Sequence, residues 1–105
     1  MPGQETTFRA LVDRVQHGVG TASPELRAQA FANEGLPPRV AALIAKVATA
    51  PASVTDADFA AAEAVGYSQD QLFELVVCAA VGQSSRQYEA GLAALAEALG
   101  SDDAP

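Results

Sequence analysis

Residues 71–81 constrain the fold of this chain more than any other stretch. Their sequence, QLFELVVCAAV, is apolar except for Gln71 and the carboxylate Glu74, and it holds the single cysteine, Cys78. Ser68 with Gln71 forms a capping box at its start, which predicts a helix. A helix that is hydrophobic on nearly all sides has to be covered on most of them. We therefore expect this helix at the centre of a bundle.

The composition favours helices as its neighbours. Half of the 105 residues are apolar, whereas only 6% are aromatic and none is Trp. The apolar set is rich in Ala and Leu, which are good helix formers. A chain of this length suits one domain that buries roughly two thirds of its unfolded surface. The sequence thus predicts a single all-α domain, an antiparallel bundle of about six helices over residues 1–105.

Helix-start and helix-stop residues indicate three parts of this domain: N-terminal helices at about residues 6–34, a core at about 36–99, and an acidic tail at 100–105. In the first part Ser23 is an N-cap followed by Pro, which is favoured at the first helical position. In the second part Thr55 with Asp58 forms another capping box. The boundaries of four helices before the central one follow from such local signals.

After the central helix the sequence predicts a break and then an amphipathic helix. Gly82 and the residues to Ser85 favour a tight turn or kink. Beyond them, large apolar side chains recur at intervals of four, three and four residues, forming a leucine stripe: Tyr88, Leu92, Leu95 and Leu99. A narrow stripe of this kind packs against a neighbouring helix, either in the same chain or in a second copy.

Charge excludes several classes of partner. Thirteen acidic residues against six basic ones give a net charge of -7. Binding to nucleic acid or to an anionic membrane surface needs a Lys- and Arg-rich face, so neither is expected as a partner. The apolar segments are interrupted by Lys46, Pro51 and Glu74, too soon for a membrane span. We predict a cytoplasmic protein.

Cysteine and histidine are too few for several kinds of site. One cysteine cannot form an internal disulfide, and with a single histidine it does not make a structural zinc site. The sequence also contains no glycine-rich phosphate loop. We therefore expect neither a metal nor a cofactor.

Glu74 and Cys78 are the main candidates for chemistry, because they lie one helical turn apart on one face. The carboxylate and burial both disfavour the thiolate, so Cys78 is expected to be a packed, inert residue. A carboxylate in a mostly buried helix needs a partner. Arg86, across the predicted turn, is the first candidate, followed by Arg39 and Lys46. Alternatively, Glu74 faces a pocket as a general acid or base.

His17 is a further candidate. It lies in the last turn of the first helix, where a cation is favoured by the helix dipole. A solvent-facing position at the end of this helix is the simpler interpretation. The alternative is that His17 approaches Cys78 as the base of a Cys-His pair.

From about residue 36 to residue 99 the order of elements resembles the carboxymuconolactone decarboxylase family, which includes the alkylhydroperoxidase D-like proteins. The resembling segments are PPRVAALIAKVATA, VTDADFAAAEAVG, GYSQDQLFELVVCAAVG and a final helix after Arg86. The resemblance implies antiparallel helical hairpins that assemble as dimers, trimers or hexamers.

The peroxidase members of that family carry a CxxCxxxH motif at the start of the short helix. Counted back from Gly66, its two cysteines and histidine would fall at Pro51, Val54 and Asp58, and none is retained. The family's upstream glutamate is missing as well, because residues 36–55 contain no acid. The resemblance therefore implies a degenerate member in which thiol peroxidase activity is lost.

Three functions are compatible with these observations. The first is a helical homo-oligomer with a structural, ligand-binding or regulatory role. The second is a non-redox enzyme, decarboxylase- or isomerase-like, in which Glu74 acts while Arg86 or His17 holds a small anionic ligand. The third is a helical interaction module that binds a partner helix along the leucine stripe.

Overall fold

The computed structural model describes the backbone of residues 2–103 and the side chains of residues 6–100. Over this range the chain forms five α-helices and one short 3-10 turn, which confirms the all-α prediction. They are α1 (Pro2–His17), α2 (Pro24–Ala32), α3 (Pro38–Thr49), the 3-10 turn (Pro51–Ser53), α4 (Asp56–Ala64) and α5 (Gln69–Asp103).

The start of α1 differs from the prediction, whereas the start of α2 agrees with it. Helix α1 begins at Pro2 rather than near residue 6 and ends directly before Gly18. The Ser23 hydroxyl accepts a hydrogen bond from the Leu26 N–H at 3.1 Å, so the predicted N-cap of α2 is confirmed. Asn33 ends α2 in the left-handed conformation, with φ of 55°.

The helical spacing of Phe8, Leu11, Val12, Val15 and Val19 predicts one inward face for the first helix, but two of these residues are exposed. Val19 is fully accessible to solvent, and Leu11 is 44% exposed. Val19 lies beyond the end of α1, in the loop, where helical spacing no longer sets the direction of a side chain. Phe8, Val12 and Val15 are partly covered, as the spacing predicts.

The start of α4 is tied to α3. The Asp58 carboxylate accepts a hydrogen bond from the Thr55 N–H at 2.9 Å, which confirms the predicted capping box. Lys46 of α3 donates to the same carboxylate at 2.9 Å. Of the causes that hold the Asp58 pKa below its ordinary value, the hydrogen bond from Lys46 is the largest, followed by that from the Thr55 backbone.

Helix α5 differs most from the prediction. Its capping box forms, because the Ser68 N–H donates to Gln71 at 3.0 Å and the Gln71 N–H to the Ser68 hydroxyl at 3.1 Å. However, the turn predicted at Gly82 is wrong, since α5 continues without interruption to Asp103. The structure therefore has five α-helices where about six were predicted.

Gly82 has a packing role in place of the predicted turn. It is buried, and a methyl group added to its Cα would overlap the backbone of Phe31 at the end of α2. The absence of a side chain allows the two helices to approach closely at this point. A glycine is therefore needed at position 82, but the reason is close helix packing and not a turn.

The first half of α5 is central, as predicted, because it contacts each of the other four α-helices. Aliphatic side chains from α2 to α5 form the core around it. The largest fully buried members, apart from Cys78, are Val40, Leu43, Ile44, Leu72 and Leu75. A close-packed core of this kind stabilises the fold through the hydrophobic effect.

The second half of α5 extends from this core. Every residue from 87 to 100 is exposed, and we call this segment the α5 extension. The molecule measures 60 × 28 × 21 Å, with a radius of gyration of 16.4 Å. A compact chain of this length would have a radius of gyration of about 13 Å. The chain is thus markedly elongated.

The acidic tail predicted at 100–105 is helical as far as Asp103. Its last two residues, 104 and 105, lie outside the described residues. Within residues 2–103, none of the helices is both long and apolar enough to cross a membrane.

Candidate functional site

Glu74 binds the loop between α1 and α2. Its two carboxylate oxygens accept hydrogen bonds from the Thr21 N–H at 2.8 and 2.9 Å. Oε2 also accepts from the Thr21 hydroxyl at 2.6 Å and from the Ala22 N–H at 2.8 Å. The loop thus surrounds the carboxylate with hydrogen-bond donors, as it would surround a bound anion. These hydrogen bonds fix the loop to the central helix.

Gly20 allows the loop to close around this carboxylate. A methyl group on its Cα would overlap Oε1 of Glu74. Only a residue without a side chain lets the backbone come so near to the carboxylate. The Gly18 and Gly20 pair, which the sequence identifies as a helix stop, thus also shapes a binding loop.

The hydrogen bonds determine the protonation state of Glu74. Burial alone would raise its pKa, but the hydrogen bonds from the Thr21 hydroxyl and from the Ala22 and Thr21 backbone outweigh it, and the Arg27 charge adds to them. The net result is a pKa below the ordinary value of 4.5. Glu74 is therefore ionised at neutral pH, whereas a general acid would need a raised pKa.

Acid should destabilise the protein through Glu74 and Asp58. Both have a lowered pKa in the folded state, so their contribution is fully present above their ordinary values of 4.5 and 3.8. It is lost as the pH falls through the folded values, because the unfolded chain then binds more protons. Urea unfolding at pH 7 and at pH 3 should show lower stability at pH 3. If Glu74→Gln left the pH dependence of the unfolding free energy unchanged, Glu74 would not contribute to the loss of stability in acid.

Arg86 does not reach Glu74, so the predicted ion pair is not formed. In a continuous helix their separation of twelve positions corresponds to a rise of about 18 Å. Arg86 instead donates to the Phe31 carbonyl at 2.6 Å and to the Gln83 side chain at 3.1 Å. The predicted pairing depended on a turn at Gly82, which the structure does not contain. Lys46, a further candidate, pairs with Asp58.

Cys78 is enclosed in the core with 1% of its surface exposed. Its thiol donates to the Val15 carbonyl of α1 at 3.4 Å. Burial is the main reason that the pKa of this thiol is raised to about 11; the Arg27 charge opposes the shift, and the Glu74 charge adds to it. A thiol in this state is a poor nucleophile at neutral pH. Its position is that of a packing residue between α5 and α1.

His17 lies on the surface at the end of α1. Its Nδ1 is 3.2 Å from the Asp13 carboxylate, and both side chains are more than half exposed. The Cys78 thiol donates its hydrogen bond to a backbone carbonyl of α1 and not to this ring. The structure thus brings Glu74 and Cys78 together on α5, but it leaves Arg86 and His17 apart from them.

Two residues at the site were not identified from the sequence. Thr21 has no local signal, because its role depends on a residue 53 positions away. Arg27 is 6% exposed and donates to the Gly18 carbonyl, while its Nε has no hydrogen-bond partner among the described residues. Its spacing from Ala30 and Phe31 on one face of α2 is the signal that could have revealed its burial.

Open space near Glu74 is small. The cleft that Glu74 and Arg27 line measures about 190 Å³. Two larger grooves lie elsewhere: one of about 580 Å³ between α4 and α5, and one of about 400 Å³ between α1 and α5. Within the described part of the chain, no three His, Cys, Asp or Glu side chains converge as metal ligands.

The α1–α5 groove has a mixed lining. Its apolar residues are Phe8, Val12, Tyr88 and Leu92, and the rings of Phe8 and Tyr88 stack with centroids 5.3 Å apart. Its polar residues are Arg9, Asp13, Gln16, Ser85 and Glu89. This stack and the Cys78–Val15 contact show that α1 runs antiparallel to α5. The groove therefore opens directly onto the leucine stripe.

Comparison with protein-family models, curated proteins and solved structures found no match to this chain.

Proposed function

We propose that this protein is a helical homo-oligomer, related to the alkylhydroperoxidase D-like proteins, that functions by assembly and has no thiol peroxidase activity. The observation that carries the proposal is the α5 extension, a long amphipathic helix whose apolar side chains are exposed in the single chain. Exposed apolar surface of this extent on a small protein is typical of an interaction site.

The state of the reactive groups supports an assembly role over catalysis. The Cys78 thiol is buried, with its pKa raised to about 11, and so offers little thiolate to a peroxide. The Glu74 carboxylate is occupied by Thr21 and Ala22. A proton-transfer site built on Glu74 needs a free oxygen and a raised pKa, and neither is present.

The test has two measurements on the intact protein. Size-exclusion chromatography with light scattering should give a mass that is a multiple of the 10.7 kDa chain. Peroxide turnover with a dithiol reductant should not exceed that of buffer. Turnover that is abolished by Cys78→Ser would overturn the proposal. A monodisperse monomer would instead favour an interaction module for a different partner.

A further inference from the structure

The α5 extension exposes apolar side chains on one face. Tyr88 and Leu92 retain 41% and 43% of their surface, and Leu95 and Leu99 retain 55% and 54%. These are the four residues of the leucine stripe. Because the first two also line the α1–α5 groove, the stripe continues into the apolar part of that groove, beside Phe8 and Val12.

The chain exposes enough surplus surface for one stable interface. Its accessible surface is 6735 Å². A compact monomer of this mass would expose about 5,500 Å², so the surplus is roughly 1,200 Å². A stable protein–protein interface buries about 800 Å² on each partner. An interface of that size through the extension would remove about two thirds of the surplus surface of each chain.

The spacing of the stripe fits a second copy of the same chain. The intervals between its residues are four, three and four, so the spacing is the same when it is counted from either end of the helix. When two such helices lie antiparallel, Tyr88 of each faces the partner's Leu99, and Leu92 of each faces the partner's Leu95. Each contact is thereby repeated by a two-fold axis, which is the requirement for a closed dimer.

The antiparallel direction is favoured over the parallel one for two reasons. The two helix dipoles then oppose each other. The two bundles also lie at opposite ends of the contact, where a parallel pair would place them side by side. In the antiparallel pair the partner's Leu99 comes to Tyr88, at the part of the α1–α5 groove where Tyr88 stacks on Phe8.

Charge does not oppose this pairing despite the net charge of -7. Within the α5 extension, residues 87–100, the charged residues are Glu89 and Glu97. Glu89 follows Tyr88 by one residue, so it projects about 100° away from it, to the side of the stripe. At 100° per residue, Glu97 points away from Leu95 and Leu99, on the opposite side of the helix. Gly91 and Ala98 flank the stripe, and their small size allows the two helices to approach closely.

We infer that two copies of this chain pair through their α5 extensions as an antiparallel, two-fold symmetric dimer centred between Leu92 and Leu95. The inference rests on the proposed function, since it names the surface and the geometry of the assembly.

Disulfide cross-linking tests the direction. Differently tagged Tyr88→Cys and Leu99→Cys chains are mixed and mildly oxidised. The mixture should give a cross-linked heterodimer, whereas each variant alone should not, because like positions are about 16 Å apart along the axis. Wild type, whose Cys78 is buried, is the control. If each variant alone formed a cross-linked homodimer and the mixture formed no cross-linked heterodimer, the antiparallel geometry would be wrong.

A second variant tests the surface without any cysteine. Leu95→Gln places an amide in the contact of both copies and should weaken dimerisation at least about 100-fold in sedimentation across a dilution series. Phe73→Gln is the matched control, because Phe73 is a 69% exposed apolar residue of α5 outside the stripe. It should leave the association unchanged. Circular dichroism checks that both variants remain helical.

The outcomes separate this inference from the proposed function. An oligomer that is unaffected by Leu95→Gln and gives no Tyr88–Leu99 cross-link would refute the α5 pairing while leaving self-association intact. A wild-type chain that is monomeric throughout the dilution series would refute both.

Discussion

Replacing Glu74 with glutamine should lower the free energy of unfolding by about 3 kcal/mol. The ionised carboxylate accepts hydrogen bonds from the Thr21 N–H, the Thr21 hydroxyl and the Ala22 N–H. An amide has only one acceptor oxygen, so it turns an NH₂ group towards one of these donors and leaves it unpaired. Urea unfolding at pH 7 measures the loss. Hydrogen exchange of the backbone at residues 18–22 should become faster, because this loop would lose its anchor.

The matched control is Glu63→Gln, an exposed glutamate of α4. This substitution removes the same charge from the surface and should change the stability by less than about 0.5 kcal/mol. If the two variants were equally stable, Glu74 would not be the anchor of the α1–α2 loop. The comparison also separates the effect of the local hydrogen bonds from that of lowering the net negative charge.

Replacing Gly82 with alanine should be about as damaging, with a loss of about 3 kcal/mol. The added methyl group meets the Phe31 backbone, which cannot rotate away as a side chain could. The ends of α2 and α5 must then separate, and this also strains the hydrogen bond from Arg86 to the Phe31 carbonyl. Thermal and urea unfolding should both report the loss.

Gly91 lies on the same helix, but its replacement by alanine should have the opposite effect on stability. Among the described residues, no atom lies within 4 Å of a methyl group added there. Gly91→Ala should therefore stabilise the chain by about 0.5–1 kcal/mol, since alanine is the better helix former. If both glycine substitutions had the same sign, the close packing of Gly82 against α2 would be wrong.

The helix starts could be predicted because their causes are local. The caps at Ser23, Thr55 and Ser68 bind backbone groups two or three residues away, so the pattern of residue types is sufficient. The central position of residues 71–81 was predictable for a similar reason, because a helix that is apolar on most sides has to be covered. The family resemblance stays a prediction.

The site could be predicted only in part. The sequence identified Glu74 as a carboxylate that needs a partner, but the partner lies in a loop more than fifty residues earlier. The sequence does not show which backbone N–H groups will lie near a carboxylate, whereas it does show the basic side chains. Arg86 was therefore the predicted partner. Arg27 was missed because its burial depends on how α2 packs.

The sequence by itself determined that the chain is all-α, where its helices start and which segment is central. It also determined the symmetric spacing of the leucine stripe. Tertiary structure decided what the ambiguous residues do: Gly82 is a close contact inside one long helix, Glu74 is a loop anchor, and Cys78 is a core residue. The physical reason is distance along the chain. Caps act over three residues, whereas the contacts of Gly82, Glu74 and Cys78 join segments more than fifty residues apart.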